Sequence, residues 1–203
     1  MGAPPMRRTG VSPVQKPSIC RVGTTLRRTG KMPVPRQSDR GSETVMRWIW
    51  IDRFVDFTPG VSATSLKNVS LAEEHLHDHW EDFPVMPVCL MIEGMAQTAG
   101  ILVGQARDFK EKVVLAKISK AEVSEPVVPG DQLTYHAEIV TITDQAASTH
   151  GVVRKDGRQI GVIDLMFSHV DQNMAGLKFP KENFVFTGQF LRLIAGFVEA
   201  AGQ

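Results

Sequence analysis

Cys20 and Cys89 are the only cysteines in 203 residues, and they stand far apart. Two distant thiols give no disulfide framework and no cysteine-based metal site, so a reducing cytoplasm is the expected setting. No run of roughly 18 apolar residues is present to span a bilayer. The N-terminus, despite Arg7 and Arg8, lacks the apolar stretch of a secretory signal. A soluble, unexported cytoplasmic protein is expected. Net charge is missing too, since 23 Lys/Arg against 22 Asp/Glu leave +1. The balance is uneven along the chain: residues 1–45 carry nine basic against two acidic residues, the remainder fourteen against twenty. A net −6 after residue 45 argues against a basic nucleic-acid-binding face there.

What is present divides at residue 45. Residues 1–45 are rich in Pro, Gly, Arg, Ser and Thr and repeat a pattern, RRTGVSPVQKPS at Arg7 and RRTGKMPVPRQS at Arg27. So few aromatic and periodic apolar residues cannot offset the entropy of ordering, and a disordered basic tail is expected. Three readings stay open for it: an arm for an anionic partner, a solvated tail, or an upstream stretch with translation starting at Met46. For residues 46–203, a composition of 42% hydrophobic and 22% charged residues over the whole chain suits one compact domain.

From Met46 the pattern reads as strands. MRWIWIDRFVDFTPG is aromatic and β-branched up to the Pro59-Gly60 turn, and a second strand follows at about residues 62–69. Residues 88–105 are long, apolar all round and preceded by Pro87, which predicts a buried helix of about 27 Å at 1.5 Å per residue. Gly94, Ala96, Ala99, Gly100 and Gly104 make it slender, so a sheet can wrap it closely. Four strand-like runs follow, over 112–123, 131–143, 146–154 and 159–170. Asp156-Gly157 between the last two signals a two-residue hairpin. The expected fold class is α+β, one antiparallel sheet around one central helix. Phe190, Leu193, Ile194 and Phe197 have the spacing of a C-terminal amphipathic helix.

Within the helix stands one carboxylate, Glu93, and before it a cluster, HLHDHWED from His75. An ionised carboxylate is costly to bury, so Glu93 should have a partner, a raised pKa or a task. His75, His77 and His79 alternate and would share a face on a strand, which invites a metal. The required downstream ligands are missing, and no metal and no cofactor are expected. Met86, Met91 and Met95 suit either core or ligand lining, and Asp131 should support the Pro129-Gly130 turn.

These residues resemble the β-hydroxyacyl-acyl carrier protein dehydratases, a family with the hot-dog fold. The family pattern HFPGxPxMPGxLxxEAxAQ meets His79, Pro84, Met86-Pro87, Leu90, Glu93 and Gln97 here, with Glu93 fourteen residues after His79 as in the family. A second pattern, PVxPGDxL, appears as PVVPGDQL from Pro126 to Leu133. The likeness covers about residues 48–170. The departures are Asp78 and Val88 at two family glycines and Trp80-Glu81-Asp82 in place of Phe-Pro-Gly.

The resemblance implies dehydration of a (3R)-hydroxyacyl thioester on acyl carrier protein to the trans-2-enoyl thioester. His79 would be the base and Glu93 the acid, with the amides of Val88 and Cys89 at the helix start holding the thioester carbonyl. Met86, Met91 and Gln97 would contact substrate. The phosphopantetheine-linked acyl carrier protein would be the partner, and the assembly a homodimer or a trimer of dimers. The apolar strand 159–170 and the C-terminal helix would supply its contacts. Hydrolysis of acyl thioesters and non-catalytic acyl binding are the alternatives, because one fold hosts several activities.

Overall fold

The computed structural model describes residues 49–78, 82–170, 183 and 185–187. The tail 1–45, His79 and the expected C-terminal helix lie outside the described residues.

Two strands open the fold, β1 (Arg53–Thr58) and β2 (Ser62–Asn68), joined at Gly60, whose φ of 69° suits a residue without a side chain. A four-residue helix α1 (His75–Asp78) and the long helix α2 (Val88–Gln105) follow. Four more strands follow among the described residues: β3 (Val113–Val123), β4 (Gln132–Ile142), β5 (Ala146–Lys155) and β6 (Arg158–His169). Each strand boundary falls within a residue or two of the sequence expectation, apart from the later start of β1. Asp156 and Gly157 both take positive φ, 49° and 83°, as the β5–β6 hairpin requires. At the start of β4, Gly130 has φ 98° while the Asp131 carboxylate accepts the Val128 N–H at 2.9 Å. That bond gives Asp131 the turn-supporting role expected of it.

All strands belong to one antiparallel sheet, in the order β1-β2-β4-β5-β6-β3. The chain leaves β2, runs through α2, and returns at the far edge as β3 before filling the middle. This topology is the hot-dog arrangement. β6 is thus an interior strand, and the edge beside it belongs to β3.

α2 packs against the sheet through Met91, Gly94, Met95, Thr98, Ala99 and Leu102, all buried. The approach is close at Gly94, where an added Cβ would stand 2.5 Å from the ring of Tyr135 on β4. The Thr98 hydroxyl, also on this face, donates to Gly94 O and bonds Ser65 Oγ on β2, so these two buried hydroxyls are satisfied. By length and composition alone α2 could cross a bilayer, which the sequence reading excluded. Half of it is buried within the sheet, as befits the core helix of a folded domain. Nor is it buried all round: Val88, Cys89 and Glu93 are exposed.

Candidate active site

The side of α2 turned away from the sheet carries Glu93, exposed, then Ala96, Gln97 and Gly100, half-buried, and Ile101, buried, at the i, i+3, i+4 spacing that lines up one helix face. Val113 and Leu115 of β3 and Phe167 of β6 stand across from it, and between them lies a cavity of about 370 Å³. Such a volume is within the ~300–1,000 Å³ usual for small-molecule sites. Most of its wall is apolar. Glu93 and Gln97 are its polar groups, one turn apart at the end nearer the helix start.

Gln97 is held from two directions. Its Oε1 accepts the Trp50 backbone N–H at 2.7 Å, which commits its Nε2 to donating, and Nε2 donates to Glu93 Oε1 at 2.7 Å. A Glu at position 97 would repel Glu93 and could not reproduce the donor. The chain before β1 thus orients a side chain at the cavity mouth.

Glu93 itself is exposed, contrary to the expectation that this carboxylate is buried. The reason is rotational: positions 91, 94, 95 and 98 take the sheet face, and 93 falls between them on the open side. No cost of burying an ionised group is therefore incurred in the single chain. Val88 and Cys89 begin α2, and as its first residues their amides have no intrahelical acceptor. Both side chains are exposed and the Cys89 thiol is free. Met86 and Met91 are buried in the core and do not line the cavity, and Met95 accompanies them.

His75 and His77 sit on the single turn of α1, where residues two apart do not face each other, so the shared strand face imagined for a metal is absent there. His77 Nε2 donates instead to Leu71 O at 2.5 Å. Among the described residues no three His, Cys, Asp or Glu side chains are grouped to hold a metal.

A polar cluster around the Trp50 ring has no counterpart in the sequence patterns. Lys67, on the inward face of β2, is nearly buried; its ammonium pairs with Glu73 at 2.6 Å and lies 4.7 Å from the Trp50 ring centroid. His75 meets the same ring edge-on at 5.0 Å and Glu73 at 3.5 Å. Burial lowers the His75 pKa below its ordinary value, with Glu73 opposing and Lys67 assisting. Burial likewise pushes the Tyr135 hydroxyl well above the usual tyrosine range. The signal was available: Ala63, Ser65 and Lys67 alternate inward, and a lysine there needs an acid. This cluster packs Trp50, whose amide orients Gln97.

Residues 46–163 match the family model of the FabA-like domain. Among solved structures, the dehydratase heterocomplex ApeI:P from Xenorhabdus doucetiae is similar at 15% identity, with 60% of this chain and 82% of that one covered and a TM-score of 0.51. The HP0420 homologue from Helicobacter felis matches at 10% identity over 66% and 88%, TM-score 0.50. The thioesterase HI1161 from Haemophilus influenzae matches at 15% identity over 56% and 75%, TM-score 0.46.

Proposed function

Since more than half of it matches that family model, the chain belongs to the FabA-like domain family, and from this membership we propose that it dehydrates 3-hydroxyacyl thioesters. The observation that carries the reading is a carboxylate, Glu93, oriented by Gln97 at the mouth of an apolar cavity that an acyl chain fits.

The step balances as an elimination. His79 removes a proton from the carbon next to the thioester carbonyl, and the amides of Val88 and Cys89 stabilise the oxygen on which charge develops. Glu93 delivers a proton to the departing β-hydroxyl, which leaves as water, and the trans-2-enoyl thioester remains. The bound acyl chain and a second protomer covering the open face would exclude water from this carboxyl. That protomer belongs to the reading: among the described residues β3 is a sheet edge, with Leu115 41% and Ile118 46% exposed, and such an edge can take a partner strand. In the family the base and acid of one site come from different protomers. Acyl carrier protein, presenting a phosphopantetheine-linked chain, is the proposed partner and the cytoplasm the proposed location.

Exposure of Glu93 favours one second reading, in which it activates water to hydrolyse the thioester. Product identity separates the two. With a (3R)-hydroxyacyl thioester, formation of the conjugated enoyl thioester without free thiol is the expected result; release of thiol would favour hydrolysis, and binding without either product a non-catalytic module.

A further inference from the structure

A cavity that accepts a chain has a far wall, and here that wall comes from outside the matched family domain. Val185 and Phe186 line the cavity, whereas the family match ends at residue 163. Phe186 is 5% exposed and sits on Gly104, eleven residues beyond Glu93 on α2; a Cβ added at Gly104 would overlap its ring. The Phe109 ring meets Phe186 edge-on with centroids 5.1 Å apart.

Asn183 holds the segment in place. Its Nδ2 donates to the carbonyls of Phe109 and Glu111 at 3.0 and 3.1 Å, tying it to the connection between α2 and β3. Its Oδ1 accepts the N–H groups of Val185 and Phe186 at 3.0 and 2.9 Å. One amide thus fixes the direction from which the phenyl ring enters. A ring packed against Gly104 and Phe109, on a backbone that Asn183 ties to the α2–β3 connection, is a fixed wall.

We propose that Phe186 is the end stop that sets the acyl-chain length this protein accepts, a claim that rests on the reading of the cavity as an acyl site. From Glu93 to Ile101 the helix advances eight residues, about 12 Å. Extended backbone covers about 3.5 Å in three bonds, so an extended acyl chain fills that span with about ten bonds. Chains of about ten to twelve carbons then fill the cavity, and longer ones meet the ring.

The test pairs wild type with Phe186→Ala and Gly100→Val, using saturated acyl thioesters from octanoyl to hexadecanoyl for calorimetric binding and the matching 3-hydroxyacyl thioesters for turnover. Each methylene accommodated tightens binding about fourfold. Wild-type affinity should rise to decanoyl or dodecanoyl and then stop rising. Phe186→Ala should carry the rise onward, improving tetradecanoyl relative to dodecanoyl about fifteenfold if two more methylenes fit. Gly100→Val should move the break to shorter chains; a Cβ at Gly100 stands 3.4 Å from Phe167, an ordinary contact, and the two further methyls narrow the cavity. An unchanged break in folded Phe186→Ala overturns the proposal. Should that variant not fold, Phe186→Leu takes its place and is judged by the same shift. A moved break without enoyl product supports the end stop while removing the dehydratase reading; turnover indifferent to chain length removes the end stop and leaves the reaction.

Discussion

The two faces of α2 obey different rules. Toward the sheet stand Met91, Gly94, Met95, Thr98 and Ala99, buried and matched to neighbours closely enough that one added carbon at Gly94 meets the ring of Tyr135. Toward the cavity stand Glu93, Ala96, Gln97 and Gly100, with empty volume in front of them. One face is fixed by packing and the other is free to carry chemistry. Substitutions should therefore divide into those that lower stability and those that lower turnover.

The largest effect should come from the cavity face. Glu93→Gln keeps the shape of an exposed side chain, so its thermal midpoint should stay near wild type. Turnover should fall by about a hundredfold to ten-thousandfold, the usual cost of losing a general acid. A variant with wild-type turnover would remove Glu93 from the mechanism. On the sheet face the order reverses. Met95→Ala leaves a cavity in the core and should cost about 2–5 kcal/mol in denaturant unfolding. Turnover per folded molecule should be kept, and a loss there comparable to that of Glu93→Gln would erase the distinction between faces.

The hairpin at Asp156-Gly157, the strand runs and the bounds of α2 were legible because period and turn chemistry are local properties. The division of α2 into faces was not. An apolar helix with small residues on every side has no strong polar stripe, so nothing in the sequence said that Glu93 looks outward while Met91 and Met95 look in. Strand order was equally hidden: β6 reads as apolar as any edge strand, and only the path through α2 puts β3 outside it. The turn of α1 was masked by alternating histidines that suggest a strand. The family patterns supplied His79, Glu93 and Gln97, while the hydrogen bond from Trp50 to Gln97 spans 47 residues and no local pattern announces it.

Smaller effects sharpen the comparison. Burial holds the His75 pKa down, so the folded protein binds this proton less tightly than the unfolded chain does. Its contribution to stability is present above the ordinary histidine value of 6.5 and is lost as pH falls through the lowered folded value. The thermal midpoint should drop less between neutral and mildly acidic pH in His75→Gln than in wild type; parallel curves would mean that Glu73 compensates fully. Smallest of all should be the effect of starting the chain at Met46. With so few aromatic and periodic apolar residues in 1–45, the shortened protein should match the full chain in thermal midpoint and turnover, and a clear loss in either would give the tail a task.

The most direct test of the central claim, that His79 and Glu93 act as base and acid of one site shared between protomers, is subunit exchange. His79→Ala and Glu93→Gln are each purified, shown to be folded, assayed alone, and then mixed under conditions that let protomers exchange. The account predicts two inactive proteins whose mixture recovers dehydration, because some mixed assemblies contain a site with both native groups. Two folded, exchanging variants that stay inactive together would contradict it.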